Sequence, residues 1–257
     1  MGSKNGIARQ IMARLPKAKH FYDLFAGGCA MTHVAMLSGK YEQYICNDIS
    51  NIPQLFADAV AGKYANERRW ISREDFFKLK DTDPYVACVW SFGNDCRTYM
   101  YGKDIEEVKH ALHDIHFATT DGERNEAMAR YRKLAKGGAQ RIISCESLQR
   151  LQRLQSLQSL QSDYREIEIA DDSVIYCDPP YKGTAEYAHG EFDHDAFYTW
   201  CLEQKQPLFI SEYDMPKGDF VCIAQFSKPS LFRNEGLEKK KMVIEKLYRP
   251  KKQIVGD

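Results

Sequence analysis

Hydrophobic and polar positions along this chain fall into short apolar runs separated by stretches with helical spacing. Residues 20–26 (HFYDLFA) are mostly apolar and end at Gly27-Gly28, which predicts a buried strand feeding a tight turn. A helix over 29–37, stopped by Ser38-Gly39, follows; then come a strand over 41–48 and a helix from near Asn51. This is the βαβ order of a parallel sheet. Residues 69–72 read as a third short strand, 73–80 as a helix and 86–92 (VACVWSF) as a fourth strand. The alternation then stops and resumes at 174–181 (VIYCDPPY), followed by a helix over about 194–203 and strands at 207–213, 220–226 and 242–248. The last two strands have no helix between them, so they are expected as an antiparallel hairpin closing one edge of the sheet.

The interruption defines the expected domain organisation: a catalytic α/β domain from 1–92 and 166–257, and a mainly helical insertion at 93–165. Within the insertion, 147–162 (SLQRLQRLQSLQSLQS) is low in complexity, with leucine at 148, 151, 154, 157 and 160. A strict period of three drifts about 60° per step on a 3.6-residue helix. The leucines would therefore wind around a helix without forming a seam, and an exposed helix or spacer is expected there.

Composition narrows the class. With 257 residues, 44% of them hydrophobic, the chain has material for a sizeable core. No apolar run approaches the roughly 20 residues of a membrane span, and the polar, basic first segment is unlike a secretory signal. The eight cysteines are scattered without a C-x-x-C pair, so reduced cytoplasmic thiols are expected, with no disulfide scaffold and no metal site. Lys+Arg and Asp+Glu balance at 36 each, but the distribution is uneven. Residues 129–153 hold seven basic side chains against Glu146, and 239–252 hold seven against Glu245. Such patches can track a phosphate backbone, although basic stretches are more often solvated faces.

The candidate chemistry lies at two strand ends. Asp178-Pro179-Pro180-Tyr181 directly follows an apolar strand, where open α/β sheets place their ligands. The prolines stiffen the turn and remove N–H donors, leaving carbonyls beside a carboxylate and a flat ring. This set suits an exocyclic amine on a planar base: carboxylate and carbonyl accept its N–H bonds while Tyr181 stacks. An ordinary turn is the competing meaning. Phe25-Ala26-Gly27-Gly28 is an incomplete glycine fingerprint, and Asp48 closes the next strand. That arrangement fits a nucleoside ligand with ribose hydroxyls but no pyrophosphate, which favours S-adenosylmethionine over a dinucleotide. His110, His113 and His116 spread over too wide a helical arc for a metal site, and a solvated or DNA-facing helix is expected. Ser211-Glu212-Tyr213, at another strand end, would line the base pocket, whereas Tyr99 and Tyr101 divide evenly between DNA contact and packing.

With these motifs in this order, namely Gly2-Ser3-Lys4, Asp23-Leu24-Phe25-Ala26-Gly27-Gly28, Asn47-Asp48-Ile49, Asp75-Phe76 and Cys177-Asp178-Pro179-Pro180-Tyr181, the chain resembles the D12 class of N6-adenine-specific DNA methyltransferases, the Dam-like and phage-type enzymes. The resemblance implies a Rossmann-like S-adenosylmethionine-dependent fold with a seven-stranded, mostly parallel sheet, and a target-recognition region in the insertion. It implies Lys4, Asp23, Phe25, Ala26, Gly27, Gly28, Asp48, Asp75, Phe76 and Asp178 around the cofactor. Asp48 would take the ribose, Asp75 and Phe76 the cofactor adenine, and Asp178 to Tyr181 the target base. The expected substrate is double-stranded DNA in a bacterial cytoplasm, with host or phage as the source of the gene. A cognate restriction endonuclease is a further candidate partner, and a monomer or weak dimer is expected. The GATC-type recognition hairpin is not evident in the insertion. Competing readings are methylation of cytosine N4 or an RNA adenine, a catalytically idle DNA-binding subunit, and a nicotinamide oxidoreductase.

Overall fold

The computed structural model describes residues 4–135, 156–181, 192–229 and 242–254. Two units divide the chain, Met1–Ala57 with Arg153–Asp257 forming the first and Asp58–Gln152 the second.

The first unit carries a seven-stranded sheet. Its strands are β1 (His20–Asp23), β2 (Gln43–Asp48), β3 (Leu157–Gln161), β4 (Ser173–Cys177), β5 (Leu208–Glu212), β6 (Phe220–Pro229) and β7 (Met242–Pro250), in the order β3-β2-β1-β4-β5-β7-β6. The strands from β3 to β5 in that order run parallel, and β7 pairs antiparallel with both β5 and β6. The expected edge hairpin is therefore present, bent by a bulge between Cys222 and Ala224. β4 and β5 are buried at every position, which is why their sequences are apolar runs without alternation. Helices α1 (Ala8–Met12), α2 (Ala30–Ser38) and α3 (Ile52–Val60) accompany the first strands, and a later helix, α8 (His194–Glu203), leads into β5. Phe197 and Cys201 of α8 pack with Tyr22, Leu24, Ile175 and Ile210 into the main core.

In the second unit lie α4 (Arg73–Leu79), α5 (Pro84–Val89), α6 (Glu106–Phe117) and α7 (Asp121–Leu134). A capping box starts α7: the Thr120 side chain accepts from the Glu123 N–H, and Glu123 reaches back to the Thr120 backbone. Trp70 stacks between Tyr101 and His110, and Trp90, 1% exposed, meets Trp70 edge-on.

Three sequence expectations are corrected. Residues 86–92 are not a strand; α5 takes residues 86–89 and Ser91 makes only an isolated bridge to Tyr99, because Asp83 caps the helix by accepting from the Tyr85 and Val86 N–H groups and Pro84 sits at its first turn. Residues 69–72 are irregular and end in Ser72, whose hydroxyl caps α4. The Leu/Gln repeat is neither helix nor spacer where it is described: Leu157–Gln161 forms β3, parallel to β2 at the edge of the sheet, while 147–155 lie outside the described residues. On a strand, positions three apart point to opposite faces. Leu157 accordingly packs with Ala26, Cys29 and Cys46, and Leu160 joins the main core.

Candidate active site at the carboxyl ends of the parallel strands

In the sheet β1 lies between β2 and β4, and Asp23 is level with Cys46 on one side and Tyr176 on the other. Asp48 and Asp178 each stand two residues past those partners, so the two carboxylates flank the loop that follows β1. Strands in hydrogen-bonding neighbourhood are about 4.8 Å apart, which puts the two outer strands roughly 10 Å from each other.

The loop is held from the β2 side. Asp48 Oδ2 accepts from the Gly27 N–H at 2.9 Å, and Oδ1 accepts from the Ser50 N–H and hydroxyl, both at 2.9 Å. The Ala26 N–H donates to the Asn47 carbonyl. Gly27 has φ +46°, and a Cβ there would meet nothing within 4 Å, so its surface is open. Cys29, which precedes α2, is also left-handed, at φ 57°. Asp23, 1% exposed, accepts from the Thr32 N–H at 3.0 Å and hydroxyl at 2.7 Å, tying α2 to β1. Burial pushes its pKa up to about 7, with Thr32 opposing the rise. Phe25, partly buried, packs against the core edge-on to Phe192 and Phe197, and Gly28 is exposed.

On the β4 side, Lys4 from the N-terminal turn (Lys4–Gly6) joins the cluster after Cys177. Its Nζ lies 2.6 Å from Asp178 Oδ1, 2.5 Å from the Tyr181 hydroxyl and 3.2 Å from Glu245 Oε2. Burial opposes the ammonium charge, but Asp178 and Glu245 leave the Lys4 pKa above its ordinary value. Burial raises the pKa of Asp178, and Lys4 offsets only part of that rise. Tyr181 meets Tyr213 edge-on, with ring centres 4.5 Å apart. Pro179 is buried and Pro180 partly so. Next to this cluster in sequence and sheet order, the residues after β5 line a cavity of about 640 Å³ with Tyr198, Glu212, Tyr213, Asp214 and Lys217 among its walls.

The structure thus brings together Lys4, Asp178 and Tyr181, and separately joins Gly27 to Asp48. Asp75 and Phe76 belong to the second unit: the Asp75 carboxylate accepts from the Ser72 hydroxyl, and Phe76 is fully buried beside Tyr99, with Phe77 the exposed ring. Tyr99 donates to the Ile71 carbonyl and Tyr101 stacks on Trp70, so both pack. The expected solvated histidine face is corrected at His113, which is only 6% exposed, against Trp90 and Phe117, whereas His116 is exposed and His110 partly so. Among the described residues no group of three or more His, Cys, Asp or Glu is placed to hold a metal ion, and no helix is long and apolar enough to cross a membrane. Sequence reasoning missed Glu245, which it counted only as the single acid within a basic run. The available signal was a single carboxylate among the apolar and basic residues of this strand, MVIEKLYRP.

No curated protein matches the sequence. Among solved structures, a "putative RNA methyltransferase" from Pyrococcus horikoshii aligns with a TM-score of 0.38 at 10% identity, over 95% of this chain and 79% of that one. The family model for the D12 class N6 adenine-specific DNA methyltransferases matches residues 1–199, and with the α/β Rossmann-like sheet and the strand-end carboxylates in place, the chain belongs to that family.

Proposed function

We propose that this DNA adenine methyltransferase moves the methyl group of S-adenosylmethionine onto the N6 amine of an adenine flipped out of duplex DNA. The observation that carries the reading is the row formed by Asp48, the open Gly27 loop and Asp178 at the carboxyl ends of three adjacent parallel strands. The residues fit the cofactor. A carboxylate has about four acceptor positions, and Asp48 uses three, so a ribose hydroxyl can add to it or replace the Ser50 hydroxyl. When bound, S-adenosylmethionine supplies an electrophilic methyl group on a sulfonium sulfur.

The amine of adenine is a weak nucleophile because its lone pair is delocalised into the ring. Asp178 and the Pro179 carbonyl accept its N–H bonds and hold the nitrogen so that the lone pair points out of the ring plane. Tyr181 offers its face to the base, offsetting part of the few kcal/mol that flipping costs. As the N–C bond forms and the methyl–sulfur bond breaks, its electron pair staying on sulfur as a neutral thioether, the surplus N6 proton has an acceptor in Asp178, made more basic by burial.

The test is to incubate the full chain with methyl-labelled S-adenosylmethionine and, in parallel, mixed-sequence duplex DNA or RNA, then identify the labelled nucleoside. N6-methyladenine is expected, and Asp178→Asn should lower turnover at least a hundredfold, about 2.7 kcal/mol. Label in N4-methylcytosine, label only in RNA, or no label would overturn the reading.

A further inference from the structure

Glu245 reaches the site from an unexpected place. It lies on β7, in the antiparallel part of the sheet, with β5 between it and β4. Its side chain is 2% exposed and its charge faces Lys4, itself 5% exposed. Burying a carboxylate is costly unless a cation is close. An ammonium has three N–H donors and no acceptor, and here Asp178, Tyr181 and Glu245 surround it. A Lys4–Asp178 pair by itself would neutralise the very carboxylate that must accept the substrate amine. Two carboxylates on one ammonium leave a formal charge of −1 in the cluster.

We propose that Glu245 is a positioning residue of the methyl-transfer site, drawing part of the Lys4 ammonium away from Asp178 so that Asp178 is left a stronger acceptor for the amine. The inference rests on the function proposed above. The groups facing Asp178 are Lys4 from the N-terminal turn, Glu245 from β7, Asp23 from β1, Tyr213 after β5, and Tyr176, Cys177 and Tyr181 of its own segment. Of these, Lys4 lowers the Asp178 pKa and Glu245 raises it. Removing the Glu245 charge therefore lets Asp178 lose its proton at lower pH.

The experiment compares wild type, Glu245→Gln and Glu245→Asp in the full chain, labelled with carboxyl-¹³C aspartate. The Asp178 signal is assigned by its loss in Asp178→Asn. In Glu245→Gln its titration midpoint should fall by about half a pH unit or more. The acid limb of kcat should move the same way, with kcat on the plateau severalfold lower. A purely structural role would scale kcat without moving either midpoint. An unmoved midpoint in folded Glu245→Gln overturns the proposal. If that variant does not fold, Glu245→Asp decides: it keeps the charge but draws it back from Lys4, so wild-type kcat overturns the proposal and a severalfold loss supports it. Wild-type protein that methylates no DNA takes down the functional reading and this inference together, whereas an active wild type with a silent Glu245→Gln takes down the inference alone.

Discussion

Asp23 shows how one residue of a motif can serve the loop rather than a ligand. Its Oδ2 closes on Thr32, while among the described residues its Oδ1 is buried without a hydrogen-bond partner. An unpaired buried carboxylate is held neutral more easily than charged, consistent with a pKa raised from 3.8 to about 7. Below about pH 4 the group is protonated in both folded and unfolded chains. Between about pH 4 and 7 only the unfolded chain ionises, so stability falls as pH rises through this window, by roughly 4 kcal/mol at most. Above pH 7 the penalty is constant. Asp23→Asn should remove this component: in urea unfolding at pH 4.5 and pH 7.5, the stability difference between the two pH values should shift in favour of the higher pH relative to wild type. Equal pH dependence in the two proteins would show that Asp23 is ionised throughout. The left-handed backbone at Cys29, beside the Gly27 turn, was not legible from the chain, since cysteine carries no preference for that region.

At the scale of elements, β3 depends on a side chain of β2. Asn47, 1% exposed, donates to the Leu24 and Ser162 carbonyls at 3.2 and 3.0 Å and accepts from the Ser162 N–H at 3.1 Å, joining the ends of β1, β2 and β3. Asn47→Ala leaves these backbone groups without partners and should destabilise the fold by about 1–3 kcal/mol, read as a lower denaturant midpoint. A midpoint unchanged from wild type would mean that the edge strand holds by its ladder alone. β1, β2, β4, α8 and the β6–β7 hairpin were legible because apolar runs, glycine stops and spacing agree there. β3 was not, because a period of three fits neither a straight helical seam nor a one-sided strand; only a strand covered on both faces makes use of it. The stretch at 86–92 misled for a related reason: a short apolar run has no period of its own, and the Asp83-Pro84 cap decided it.

For the whole molecule, zero net charge says little about DNA, because the basic residues are grouped. In the first group, Arg132 and Lys133 are exposed at the end of α7, whereas Arg130 pairs with Asp114 at 2.6 Å; the group's residues from 136 onward lie outside the described residues. Neutralising Arg132 and Lys133 should weaken binding to any duplex and reduce the salt slope by about one unit per lost phosphate contact, with the methylated sequence unchanged. Binding measured at several salt concentrations checks this, and an unaltered slope would place the DNA contact elsewhere. The sequence by itself determined the family, the parallel α/β class and the two acidic strand ends, because each rests on short contiguous motifs whose chemistry is local. Tertiary structure alone decided that Leu157–Gln161 completes the sheet, that Asp23 locks the loop, and that Glu245 meets Lys4 and Asp178. Those outcomes depend on which distant segments become neighbours once strands pair. No run of residues encodes in its own order the burial that turns a lone glutamate into part of a charge cluster.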